Sequence, residues 1–141
     1  LLFINDDIQL AKTVNAPAVH IGQTDGSLSE ARALLGDDVV IGVTCHDSLD
    51  LAIEAQQGGA DYVAFGAFFP SSTKPNAKPA PLTLLQQARE QLAVPIVAIG
   101  GISIDNAQQV IEPGADMVAV VHALFAADDI PARAQQFNQL F

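Results

Sequence analysis

Pro95-Ile96-Val97-Ala98-Ile99-Gly100-Gly101-Ile102-Ser103 decides the fold. Its run of Ile, Val and Ala predicts a strand buried on both faces. The two glycines permit a tight turn and a close approach of backbone to a ligand. Ser103 is expected to cap a helix running through Val110. A strand, a glycine turn and a helix N-terminus together suit phosphate, because free N–H groups and the helix dipole both favour an anion. The same letters also fit an ordinary strand-to-helix turn.

The pattern repeats outward from this stretch. Strands are expected at Leu1–Ile4, Ala18–Ile21, Val39–Val43, Tyr62–Phe65 and Met117–Val121, each followed by a helical segment. Ser27-Leu28-Ser29-Glu30 matches a capping box, and Gly36 stands where that helix should stop. Pro131 opens a closing helix with Ala134, Phe137 and Phe141 on one stripe. Gly59-Ala60-Asp61-Tyr62-Val63-Ala64 is echoed by Gly114-Ala115-Asp116-Met117-Val118-Ala119. Six repeated strand–helix units imply a parallel sheet whose strand C-termini share one side. A closed (β/α)8 TIM barrel has eight units and usually about 200 residues or more. The expectation is therefore a single domain over residues 1–141. It would be the C-terminal three-quarters of such a barrel, with about six of the eight units present. The start in mid-strand, without Met, agrees with that. An open doubly wound sheet is the alternative.

Half of the 141 residues are hydrophobic, as expected of a folded α/β chain. A net charge of −10 argues against generic binding to nucleic acid or an anionic membrane. With Cys45 as the only cysteine there is no disulfide framework, and a reducing, cytoplasmic location is expected. No apolar run approaches the roughly 20 residues that span a bilayer.

Polar residues gather where the strands end: Asn5, Asp6, His20, Gln23, Asp25, Thr44, His46, Ser71 to Lys74, Gly100, Gly101 and His122. In a barrel these ends face one mouth, where active sites are built. Asp6 and Asp25 follow adjacent strands and can approach one another. Paired carboxylates suit Mg²⁺, a hard cation that keeps waters for substrate phosphates; alternatively each caps a helix or is merely solvated. Lys74, after Ser71-Ser72-Thr73 in a connection with four prolines (Gly66 to Pro81), offers a cation and hydroxyls to an anionic group, or is an exposed lysine. His46 can be an acid, a base or a structural donor. His20, inside a strand, reads mainly as a packed residue, and Cys45 as core.

Taken together, these motifs resemble those of thiamine phosphate synthases. Asn5-Asp6 looks like that family's Asn-Asp pair, and His20-Ile21-Gly22-Gln23-Thr24-Asp25 like its His-x-Gly-Gln-x-Asp segment. Ile41-Gly42-Val43-Thr44-Cys45-His46 is similar to its Ile-Gly-Val-Ser-x-His turn, with Thr44 keeping the hydroxyl. Tyr62 to Gly66 and Ser71-Ser72-Thr73-Lys74 resemble its strand and Thr-Pro-Thr-Lys loop, without the stiffening proline. Ala98 to Ile102 and Val120 to Leu124 complete the set, with His122 where Ser is usual.

The resemblance covers nearly the whole chain and implies a full barrel whose first two units, with a Gln-x-Arg-x-Lys segment, are absent here. It implies condensation of hydroxymethylpyrimidine diphosphate with hydroxyethylthiazole phosphate, giving thiamine phosphate and pyrophosphate. By the same resemblance Asp6 and Asp25 bind Mg²⁺. Asn5, Thr44 and Lys74 contact the pyrimidine diphosphate, with Thr44 and Lys74 the catalytic pair. Ser71, Ser72, Thr73, Gly101, Val121 and His122 hold the thiazole phosphate. The alternatives are a thiazole tautomerase on the same scaffold and a non-catalytic phosphate-binding fragment. Small-molecule substrates and self-association are expected. The 141-residue chain by itself is expected to be inactive.

Overall fold

Helices and strands alternate through the computed structural model, which describes residues 1–70 and 79–141. Among the described residues the strands are β1 (Phe3–Asn5), β2 (Ala18–Ile21), β3 (Val40–His46), β4 (Tyr62–Gly66), β5 (Ile96–Ile99) and β6 (Met117–Ala119). The helices are α1 (Ile8–Thr13), α2 (Leu28–Leu35), α3 (Leu49–Gln57), α4 (Thr83–Gln91), α5 (Gln108–Ile111), α6 (His122–Phe125) and α7 (Ile130–Asn138). All five strand pairs are parallel, and the spatial order is β1-β2-β3-β4-β5-β6.

That order separates the two expected architectures. A doubly wound sheet reverses its strand order at a switch point and so covers both faces with helices. Here every step goes the same way, and right-handed crossovers then leave the helices on one face. The result is a curled half-barrel of six strands, with a helix-covered outer face and an open concave one. Burial shows the asymmetry. Val19, Ile21, Ile41, Val43, Cys45, Val63, Phe65, Ile96 and Ala98 alternate along the strands and pack against Ala11, Ala31, Ala52, Leu85, Ala88 and Val110 of the helices. Small alanines on the helix faces let them lie close to the sheet. The intervening positions form rows across the concave face: Asn5–His20–Gly42–Tyr62, then Thr44–Ala64–Val97–Met117.

The repeated Gly-Ala-Asp has a structural purpose. Asp61 accepts a hydrogen bond from the Ile41 N–H at 2.7 Å and pairs with Arg32 at 2.8 Å. Asp116 accepts from the Ile96 N–H at 2.9 Å and pairs with Arg89 at 2.9 Å. Each aspartate closes the foot of the strand before its own and ties down an outer helix.

Local signals also formed as read. Ser27 and Glu30 make a reciprocal capping box, Gly36 ends α2, and Pro131 lies in the first turn of α7 behind the N-cap Asp129. Other expectations need correction. The last strand ends at Ala119 rather than Val121, because Val121 already turns into α6 as its N-cap. β3 does not stop at Val43 but runs through His46, because the open concave face accepts the polar side chain of Thr44 without burying it. Ser103 does not cap a helix through Val110. Asn106 takes the Ser103 N–H and donates to the Gly101 carbonyl, so the chain makes turns first and α5 is only four residues long. On α7, Phe137 is buried, but Phe141 lies beyond the helix and is exposed.

Candidate active site

The C-terminal ends of the strands form the site. β1 delivers Asn5 and Asp6, the latter at φ +67°, a left-handed conformation that Asp tolerates better than most residues. The Asp6 N–H donates to the His20 carbonyl at 2.8 Å, which fixes the chain as it leaves the sheet. Asp7 then caps α1. After β2, Asp25 folds back so that its Oδ2 accepts from the Gly22 N–H at 2.8 Å. A side chain at position 22 would push that carboxylate away from the Gly22 N–H.

Asp6 and Asp25 are brought together as expected. Desolvation, then the charge of Asp25 and a hydrogen bond to it, raise the Asp6 pKa above the ordinary carboxylate value, against a lowering influence from His20. A groove bordered by Asp6, Asp25, Gly26 and Glu30 opens beside them. The described residues contain no group of three or more His, Cys, Asp or Glu able to hold a metal. A cation here would therefore rest on two hard carboxylates and complete its shell with water or phosphate oxygens, the habit of Mg²⁺. The donor chemistry fits: both side chains are hard carboxylates, and the charge of Asp25, second to desolvation in raising the Asp6 pKa, is a repulsion that a cation would relieve.

His20 is more than a packing residue. It is half-buried on the concave face, with Nδ1 2.8 Å from the Tyr62 hydroxyl and Nε2 2.8 Å from the Thr44 hydroxyl. Burial lowers its pKa, and the carboxylates of Asp6 and Asp25 oppose that. Burial pushes the Tyr62 phenol up to about 12. Gln23 donates from Nε2 to the Thr44 carbonyl at 2.6 Å, linking the second and third strand ends. Sequence reasoning passed over Tyr62 and Gly42. The signal available was the two-residue alternation, which sets His20, Gly42 and Tyr62 on the same face of adjacent strands.

Elsewhere the picture is mixed. Cys45 points outward into the core, and burial raises its thiol pKa to about 12, so it is an inert wall residue. His46 is exposed at φ +50°. The close approach that Gly100 and Gly101 permit is to protein. A side chain at Gly100 would strike Ala67, and one at Gly101 would strike the Phe69 and Pro70 carbonyls. The Phe68 and Phe69 N–H groups bond to the Ile99 and Gly100 carbonyls, so this turn seats the root of the connection that follows β4. Val121 and His122 are exposed at the start of α6. Ser71, Ser72, Thr73 and Lys74 lie outside the described residues.

The chain is similar to known proteins along nearly its whole length. The family described as thiamine monophosphate synthase matches residues 1–124. The thiamine-phosphate synthase of Thioalkalivibrio sulfidiphilus is 56% identical over 141 residues, all of this chain and 67% of that protein. The thiamine-phosphate synthase of Methylobacillus flagellatus is 58% identical over 140 residues, 99% of this chain and 66% of that protein. The solved thiamine phosphate pyrophosphorylase of Pyrococcus furiosus superposes with a TM-score of 0.87 at 33% identity, covering 99% of this chain and 66% of its own. The chain thus spans about two thirds of the length of these relatives. It belongs to the thiamine monophosphate synthase family.

Proposed function

We propose that this chain carries most of the active site of a thiamine phosphate synthase, a transferase joining hydroxymethylpyrimidine diphosphate to hydroxyethylthiazole phosphate with release of pyrophosphate. The observation that carries the reading is the pairing of Asp6 and Asp25 at neighbouring strand ends in a chain of this family. Bond breaking leaves charge on the departing pyrophosphate, so the site must favour that charge and keep the thiazole nitrogen close. Asp6 and Asp25 would hold Mg²⁺, which when bound would neutralise part of the leaving-group charge. Asn5 and Thr44 border the same mouth and would hydrogen-bond to the pyrimidine diphosphate. Lys74, with Ser71, Ser72 and Thr73, is assigned to the diphosphate and thiazole phosphate through the family resemblance. Gly101, Val121 and His122 would meet the thiazole phosphate chiefly through backbone groups, which the exchange of Ser for His122 leaves intact. We further assign residues 1–141 to one domain, the C-terminal three-quarters of a (β/α)8 barrel.

The test is thiamine phosphate formation from the two substrates, with and without Mg²⁺, by the protein that contains this chain. Turnover should require the metal, and Asp25→Ala should abolish it. Full turnover after exhaustive metal removal, or full kcat/KM in Asp25→Ala, would overturn the assignment.

A further inference from the structure

We infer that Tyr62, His20 and Thr44 form a positioning relay across three strands that makes the Thr44 hydroxyl a hydrogen-bond donor toward the mouth of the site. Its use toward a diphosphate oxygen rests on the function proposed above; the relay itself does not.

The geometry is a single line. The Tyr62 hydroxyl on β4 lies 2.8 Å from His20 Nδ1 on β2, and His20 Nε2 lies 2.8 Å from the Thr44 hydroxyl on β3. Tyr62 reaches across β3 because Gly42 stands between it and His20 in the same row. A β-carbon at Gly42 would overlap the Tyr62 ring and its hydroxyl. The phenol ring is held from two further sides. It stacks on His20 with ring centres 5.5 Å apart at 24°, and it meets Phe3 edge-on at 5.8 Å and 85°.

The direction of the relay follows from hydrogen-bond chemistry. A phenol is a better donor than an aliphatic hydroxyl, and an imidazole with one ring proton accepts at one nitrogen and donates at the other. Tyr62 O–H therefore donates to Nδ1, and Nε2–H donates to Thr44 Oγ1. With that lone pair engaged, the Thr44 proton turns away from His20 and faces the mouth as a donor. The opposite proton order would spend the Thr44 proton on Nε2 and present only lone pairs outward, which would repel a diphosphate oxygen. Tyr62 and His20 are thus positioning residues that act through Thr44, and Gly42 is the space that lets them meet.

The first experiment is a long-range ¹⁵N–¹H correlation spectrum of the ¹⁵N-labelled chain, which reports which His20 nitrogen carries the proton. The relay requires protonated Nε2 and bare Nδ1; a proton chiefly on Nδ1 overturns it. Tyr62→Phe should erase the preference, and an unchanged His20 signal in that variant also overturns it. The second experiment is a kinetic cycle in the active protein. Tyr62→Phe should lower kcat/KM for the diphosphate substrate about tenfold, the scale of one misdirected hydrogen bond. In a Thr44→Val background the same change should cost less than about twofold, because the two act on one hydroxyl. Thr44→Ser should restore most of the activity. Independent, additive losses would overturn the relay. If Thr44→Val keeps full kcat/KM, the diphosphate role of Thr44 fails, and the ring-proton result still decides the relay separately.

Discussion

At the scale of single residues, the site is held at a cost to the fold. Asp6 sits at φ +67° beside a second carboxylate. Its pKa in the folded chain is raised above the ordinary 3.8, so the folded state holds the proton more tightly than the unfolded one. The stability this confers is complete below that ordinary value and is lost as pH rises through the raised one. Asp6→Asn removes the charge and keeps a residue suited to positive φ. Without metal, Asp6→Asn should therefore melt at a higher temperature than the parent at neutral pH, and the gap should close as the pH falls below the ordinary Asp range. Turnover should be lost in the same variant. A melting gap that is independent of pH would rule out this electrostatic account. The approach of Asp6 to Asp25 was legible in the sequence, since both follow adjacent strands. The His20–Tyr62 bond was not, because it depends on cross-strand register and on the room left by Gly42.

At the scale of elements, the feet of the strands hold the sheet and its mouth carries the proposed site. Asp61 and Asp116 are matching clamps with unequal surroundings. Arg32 is the more enclosed arginine, and it also donates to the carbonyls of Gly36, Val39 and Gly59. Removing Asp61 would leave the Ile41 N–H without its acceptor and take the paired carboxylate from a largely enclosed guanidinium, whereas Arg89 beside Asp116 is largely solvated. Asp61→Ala should lower unfolding free energy by about 2 kcal/mol and Asp116→Ala by about 1 kcal/mol, both read by urea denaturation. Equal losses would mean that enclosure is irrelevant here. At the other end, Gly101 has φ +64° and lies against the Phe69 and Pro70 carbonyls. Gly101→Ala should disturb the root of that connection and lower both the urea midpoint and kcat/KM; a normal midpoint with normal kinetics would show that the seat is dispensable. The alternation of strands and helices was legible from apolar periodicity, and the echoed Gly-Ala-Asp was visible without its meaning. The length of β3 and the turns after Ser103 were not. A polar residue such as Thr44 reads as a loop unless one knows that the concave face is open. Asn106 is a local competitor for the cap that Ser103 was expected to make.

At the scale of the whole molecule, the open face and two sheet edges dominate. Among the described residues β1 pairs only with β2 and β6 only with β5, so each presents a row of backbone donors and acceptors without a strand partner there. Apolar residues are exposed beside both: Leu1, Leu2 and Phe3 at one edge, Met117, Val121 and Phe125 at the other. Such edges promote pairing with another chain unless they are covered. The relatives are longer by about a third of their own length, room enough for two strand–helix units at about 30 residues each. Two such units would pair both edges and line the remaining side of the mouth. The 141-residue chain made by itself should therefore associate in a concentration-dependent way in sedimentation velocity, bind an apolar dye, and fail to form thiamine phosphate. Supplying the part of the Thioalkalivibrio sulfidiphilus synthase that this chain does not match should suppress dye binding and yield Mg²⁺-dependent turnover. Turnover by the chain alone would mean that six strands suffice for the chemistry. A completed protein that still binds dye and stays inactive would mean that something other than two further units closes this sheet.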